Sequence, residues 1–220
     1  MKNLITVLLI LSVFYSCKQE AKKETIAPEK EFTTAEKIAI AHGIEQWKNV
    51  SKIQFTFNTP RSERSWTWEP KTQNVILISK GDTIAYNRSN IDSTSIGANK
   101  AFINDKYWLL APFQLVWDQG TTISEPVNDI APLSKIEMHK ITLTYPSEGG
   151  YTPGDAYDFY FGDDFIIKEW IYRAKNSEEP SLITTWEDYE DFGGIKISKM
   201  HKNGKDDWAL FFTGITISTE

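Results

Sequence analysis

Few residues in this chain carry chemistry. There are three histidines, His42, His139 and His201, and a single cysteine, Cys17. The histidines fall in three different predicted elements and lack metal-ligand spacing. His42 neighbours an apolar stripe and is expected to be a hydrogen-bonded helix histidine. Carboxylates concentrate in two runs, "FGDDF" with Asp163 and Asp164, and "WEDYED" with Glu187 and Asp188. Paired carboxylates can act as acid and base, or hold calcium through oxygen. The first run fits a turn between strands equally well, and the second sits at a strand end, where charge solvates an edge. Neither has the spaced carboxylates and glycine of an EF-hand loop. HExxH, a Walker loop, G-x-S-x-G and a Cys/His dyad are all absent. The chain is therefore expected to be non-catalytic, without cofactor or metal. A hydrolase working through Asp163, Asp164, Glu187 or Asp188 is the enzymatic alternative.

Cys17 closes the opening segment, "MKNLITVLLILSVFYSC". Lys2 gives it a positive start, and Leu4 to Tyr15 an apolar run of twelve residues. A spanning helix takes roughly 20 apolar residues, so this run is too short for a permanent anchor. It reads as a secretory signal. Phe14 is bulky where an ordinary cleavage site wants a small residue. "FYSC" instead resembles the bacterial lipobox, with Tyr15 standing where that pattern has a small side chain. The resemblance implies that Cys17 is acylated and becomes the new N-terminus. One acyl chain holds a protein only marginally, whereas several tether it stably. Lys18 follows, with no Asp at that position, which resembles lipoproteins sorted to the outer membrane. Without a second cysteine there is no intrachain disulfide, so the fold must rest on its core.

The full chain has 220 residues and a formal charge of −6. Without residues 1–16 it would carry 23 basic against 30 acidic residues, or −7. That balance disfavours nucleic acid, whose phosphates demand a basic face. It also disfavours lying flat on an anionic leaflet. Residues Lys18 to Phe32 lack an apolar period and read as a solvated tether. Fifteen residues reach at most ~50 Å. The layout expected is a signal peptide over 1–16, a lipidated cysteine and tether over 17–32, and one α+β domain over 33–220.

Thr33 and Glu36 match a capping box. Ile40, Ile44 and Trp47, with Ala41, fall at helical spacing, predicting one long N-terminal helix in which Gly43 permits close packing. Strand patterns follow in "KIQFTFN", "SWTWE", "NVILIS" and "DTIAYN", the last two flanking Lys80–Gly81 as a hairpin. Arg88 to Asn99 reads as a loop. "NKAFINDKYWLLAPFQLVWDQG" reads as a second, shorter helical segment broken by Pro112. Strands continue to the end, turning at Gly162–Asp163–Asp164, Gly193–Gly194 and Asn203–Gly204. In "KIEMHKITLTYP" the apolar phase shifts midway, which predicts a β-bulge. The expectation is about ten antiparallel strands in one up-and-down sheet, curved because large sheets twist, with the mid-chain helix on its concave side.

The chain holds 29 aromatic residues, eight of them tryptophan. Alternation gathers many on one sheet face, where core packing accounts for most. Where helix and sheet close only partly, the same rings would line an apolar groove. Trp66, Trp68, Tyr107, Trp108 and Phe113 are the candidates for such a groove. Exposed tryptophans stacking on sugar rings are a second possibility, a glycan-binding surface.

"AHGIEQWKNVSKIQFTF", "NDKYWLLAPFQL", "YTPGDAYDFYF" and "WEDYEDFGGIKIS" resemble a family of Gram-negative lipoproteins placed near the LolA/LolB superfamily. The resemblance runs from Thr34 to Ser198, and its motifs are structural rather than catalytic. It implies a half-open β-barrel with a helical lid and an apolar cavity for a lipid, an acyl chain or an acylated protein. No binding residue carries over: the arginine with which those carriers latch the lid is not assigned to Arg61, Arg64 or Arg88. A tethered chain would suit a stationary acceptor or sensor, at the periplasmic or outer face of the outer membrane, rather than a shuttle.

Overall fold

Thr33 opens the first helix as its sequence predicts. Its hydroxyl accepts from the Glu36 amide at 3.2 Å, and the Glu36 carboxylate accepts from the Thr33 amide at 2.9 Å. The computed structural model describes residues 31–148, 152–205 and 208–220, and Phe32–Glu220 forms one compact unit. The signal segment, Cys17 and most of the tether lie outside the described residues.

The long N-terminal helix is not present. Helix α1 covers only Thr34–Ala41, and Ile44–Asn49 is a separate 3-10 turn. Gly43 explains the break. Its φ is +88°, and a Cβ there would lie 1.8 Å from the Gly194 carbonyl oxygen. The chain must cross another backbone at this point, and only glycine fits both the angle and the approach. The amide of Lys196 donates to His42 O at 3.0 Å beside the crossing.

The mid-chain helix is the longer of the two. Helix α2 runs Ile96–Trp117, 22 residues, and takes in the last four residues of the expected loop, Ile96 to Asn99. Asp92 organises its entry by accepting from the Thr94 and Ser95 amides at 3.0 and 2.8 Å. Pro112 lies inside, and Leu110 departs from helical geometry (φ −128°, ψ 26°), so the helix bends rather than ends. From Asp105 to Leu115 every side chain is buried. A helix buried all round is enclosed by the rest of the fold instead of resting on it with one face.

Thirteen strands surround it among the described residues, not ten. Seven form one sheet: β1 (Val50–Thr59), β2 (Ser62–Glu69), β3 (Asn74–Ser79), β4 (Asp82–Asn87), β11 (Glu187–Asp191), β12 (Lys196–Lys202) and β13 (Ala209–Thr219). Their order is β11-β12-β13-β1-β2-β3-β4. Six form the other: β5 (Thr122–Ile123), β6 (Val127–Ile130), β7 (Glu137–Thr144), β8 (Ala156–Phe161), β9 (Ile167–Arg173) and β10 (Leu182–Thr185). Here the order is β10-β9-β8-β7-β5, with β6 beside β5 on the same edge of β7. Every ladder is antiparallel and neither sheet is closed. The count exceeds ten for two reasons. β5 and β6 are short additions, and the predicted strand through Trp186 divides there, β10 pairing with β9 and β11 with β12. At Trp186 the chain therefore passes from one sheet to the other.

Strand β7 carries no bulge: its register with β6 and β8 is unbroken. Ile141 and Leu143 are wholly buried while Ile136, ahead of the strand, is 60% exposed. The apolar phase shift reflects a change of environment, and the register slips fall instead in β1–β13 and β8–β9. The Lys80–Gly81 hairpin is as predicted, both residues at positive φ (53° and 87°) between paired Ser79 and Asp82.

Candidate functional site

The five aromatic candidates divide between the two sides of α2. On one side, Trp66 and Trp68 project from β2 against Phe102, each ring pair 5.3 Å apart in a T-shaped contact. Trp47 closes over Trp68 at 5.4 Å and Phe113 at 6.0 Å. Trp66, Trp68 and Phe113 are all buried. They form solid core.

On the other side a space remains. Tyr107 faces Tyr157 at 4.9 Å and Trp108 faces Trp170 at 4.4 Å, both across from α2 to the second sheet. Between them is a cavity of about 360 Å³. Its walls are Tyr107 and Trp108 of α2, Tyr157 of β8, and Trp170 and Tyr172 of β9. Ile103 and Leu182 add apolar surface, and exposed Lys100 and Asn104, with Thr152, supply polar groups at the edge. The phenols are held in place: Tyr157 bonds Thr152 at 3.1 Å and Tyr172 donates to Asp155 at 2.9 Å. Burial pushes the Tyr107, Tyr157 and Tyr172 hydroxyls up, Tyr172 to about 12, so they stay neutral donors rather than bases.

Behind Trp170, outside the cavity lining, pack Trp186, 5.3 Å away, and His201, 4.6 Å from Trp186 and 5.2 Å from Trp108. His201 Nδ1 lies 3.2 Å from Thr185 O. Burial pushes the imidazole down to about 3, so it is neutral, donates through Nδ1 and leaves Nε2 as an acceptor. His42 is likewise a structural histidine. It is buried, bonds Ile38 O at 2.8 Å and Tyr189 at 3.3 Å, and is pushed down to about 4 by burial.

Sequence reasoning missed the polar side chains that hold α2. Asp105 is wholly buried and accepts from Arg64 Nε and Nη2, both at 2.7 Å, from Trp66 Nε1 at 2.8 Å and from Asn104 at 3.0 Å. Lys106 is buried too, its ammonium 5.6 Å from the Trp68 ring and 5.7 Å from Trp117. Burial lowers it to about 7, with Arg88 adding to the effect. Burial raises Asp118, which accepts a hydrogen bond from Tyr145; the Tyr145 hydroxyl lies 3.3 Å from that of Tyr107. The available signal was "NDKYW": two adjacent charges followed by an unbroken apolar run.

The carboxylate runs are occupied by local partners. Asp163 bonds His139 Nε2 at 2.9 Å, whose Nδ1 is 2.9 Å from Asn128. Asp164 accepts from the Ile166 amide at 3.0 Å within the turn. Glu187 pairs with Lys202 at 2.8 Å and Asp188 with Lys199 at 3.2 Å. Among the described residues, no three of His, Cys, Asp and Glu gather closely enough to hold a metal, and no helix is long and apolar enough to cross a membrane.

Fold and cavity together define an α+β protein with a buried helix between two open antiparallel sheets and an aromatic pocket on one side. No family model matches the chain, and no curated protein is significantly similar to it.

Proposed function

We propose that the protein is a membrane-anchored lipoprotein of the periplasm or outer membrane, tethered through an acylated Cys17, that binds one hydrophobic ligand without chemical turnover. The observation that carries this is the cavity of about 360 Å³ walled by Tyr107, Trp108, Tyr157, Trp170 and Tyr172. Ligand pockets span ~300–1,000 Å³, so this one is at the small end. It suits a ring system or a short chain segment. A multiply acylated cargo would require α2 to withdraw. The kinship with half-open barrel carriers of the LolA/LolB kind is supported by antiparallel strands in near-sequential order and a helix on their inner side. Burial of Trp66 and Trp68 weighs against a glycan platform, which needs flat exposed rings.

The test is native mass spectrometry of protein taken from its own membrane. A co-purified apolar small molecule or lipid is the expected result, and protein that is repeatedly empty and takes up no apolar probe would refute the reading. The anchor has a separate test. Cys17→Ser should release the protein from the membrane fraction or leave its signal uncleaved, and unchanged attachment of a processed chain would refute it.

A further inference from the structure

A charge at the mouth of the cavity has no partner among the described residues. One face of α2 supplies half of the lining: Lys100, Ile103, Asn104, Tyr107 and Trp108, at i, i+3, i+4, i+7 and i+8. Polarity changes along that face. Lys100 and Asn104 are exposed, Ile103 is half-buried, and Tyr107 and Trp108 are buried. Helical rise puts Tyr107 about 10 Å further along the axis than Lys100. Lys100 is the one charged side chain in the described lining, and among the described residues it forms no ion pair or hydrogen bond. Asn104, its i+4 neighbour, donates to Asp105 at 3.0 Å and keeps a second amide hydrogen. An ammonium and an amide N–H therefore flank one point at the mouth. Two carboxylates stand behind the wall, and neither lines the cavity. Asp105 is matched by Arg64, and Asp155 accepts from the Tyr172 hydroxyl and the Lys175 amide.

Resting on the hydrophobic-ligand reading, we propose that the pocket takes an amphiphilic anion: an apolar ring system against the tyrosine and tryptophan wall, with a carboxylate at the mouth between Lys100 and Asn104. The donors select that group. A carboxylate offers one oxygen to each donor and one negative charge to one ammonium. A phosphate monoester would bring nearly two charges to a single lysine. Electron-rich rings also attract cations, which fits a cage of separated rings around the charge. Here the rings lean on one another instead. Tyr157 is 4.9 Å from Tyr107, 5.3 Å from Trp170 and 5.1 Å from Tyr172, at tilts of 34°, 38° and 30°. They make one continuous wall, against which a flat apolar body packs, and the only charge beside it is positive.

The experiment compares three probes of nearly equal shape, the anion 2-naphthoate, the neutral 2-naphthamide and the cation 2-naphthylmethylammonium, on the full-length Cys17→Ser chain. Binding is read by tryptophan emission and checked by calorimetry. The chain carries a formal charge of −6, so unspecific attraction favours the cation and the comparison is stringent. An ion pair at an exposed mouth is weak, and 2-naphthoate is expected to bind about two- to fivefold tighter than 2-naphthamide at low salt, with the cation weakest. Added salt should shrink the preference. Lys100→Met should abolish it and Lys100→Glu should invert the order of anion and cation. Lys100 is exposed, so neither change disturbs the core. Equal affinity for the three probes, or a preference for the cation, would overturn this inference and leave the hydrophobic-ligand reading standing. An anion preference that survives both Lys100 variants would overturn it as well, by placing the carboxylate elsewhere. Failure of all three probes to bind would overturn both readings.

Discussion

Arg64→Met tests whether α2 is fastened to the first sheet by a buried ion pair. The Asp105 carboxylate is wholly buried and receives four hydrogen bonds, two from the Arg64 guanidinium. The Arg64 side chain is 21% exposed, and its guanidinium lies 4.7 Å over the Phe57 ring. Methionine preserves most of the stem packing and removes the charge. An exposed pair would be worth about 0–1 kcal/mol. Stranding a buried carboxylate costs about 3–5 kcal/mol, and the partial exposure of Arg64 favours the lower end, about 3. For a chain of this size each kcal/mol moves the midpoint by about 2–4 °C, so thermal melting should shift down by about 6–12 °C. Circular dichroism on the Cys17→Ser background reads this directly. The double variant Arg64→Met/Asp105→Leu removes both charges and should cost clearly less than the two single changes added together. Amide exchange in Arg64→Met should quicken in the first half of α2. A cost below about 1 kcal/mol for Arg64→Met would refute the reasoning, because the pair would then behave as an exposed one and ring packing alone would hold the helix.

Three further perturbations follow from the same burial. His42 and His201 resist protonation in the fold until about pH 4 and about pH 3, whereas the unfolded chain protonates near 6.5. Their contribution is thus complete above pH 6.5 and is lost as pH falls toward those values, at about 1.4 kcal/mol per pH unit for each. By pH 4.5 the loss is on the order of 5 kcal/mol; His201→Phe should remove about half of that dependence in urea titrations, and an unchanged slope would count against the assignment. Lys106 is held near 7 by burial, so folding at neutral pH discourages its charge. Lys106→Met should raise the melting midpoint at pH 7, by about 1–4 kcal/mol of stability, with the gain shrinking toward pH 10; a lowered midpoint at pH 7 would contradict this. Gly43→Ala combines a positive φ with a Cβ 1.8 Å from Gly194 O and should cost about 2–5 kcal/mol, so a midpoint within about 2 °C of wild type would show that the crossing can open.

What could be read from the chain follows the reach of each signal. Capping at Thr33–Glu36 and the Lys80–Gly81 turn are fixed by contacts within a few residues, and both stand as predicted. Gly43 was legible as a close-packing site but not as a helix terminus, because the backbone it crosses is that of Gly194, 151 positions away. Helix α2 was read as the shorter one for two physical reasons. Its first turn, "SIGANK", has the composition of a loop, and its buried middle shows no polar face from which a stripe could be drawn. The split at Trp186 carries no local mark, since β10 and β11 continue one strand pattern and differ only in the partner each meets.

The aromatic candidates show the same limit most sharply. Alternation identifies the face on which Trp66 and Trp68 lie, and they do point inward. Whether an inward ring is core or cavity lining depends on the volume of what stands opposite, which strand periodicity does not encode. Phe102 and Trp47 fill the space opposite Trp66 and Trp68, whereas Tyr107 and Trp108 leave room before Tyr157, Trp170 and Tyr172. Polar atoms do not follow this contrast. On the filled side Trp66 spends its N–H on Asp105, itself matched by Arg64, while Trp68 Nε1 is buried without a partner. On the open side Trp170 Nε1 is unmatched too, and each such group costs about 1–3 kcal/mol wherever it lies. What separates the two sides is volume: the open side keeps a space of about 360 Å³ bounded by five rings, and that space is the reason to treat it as a site.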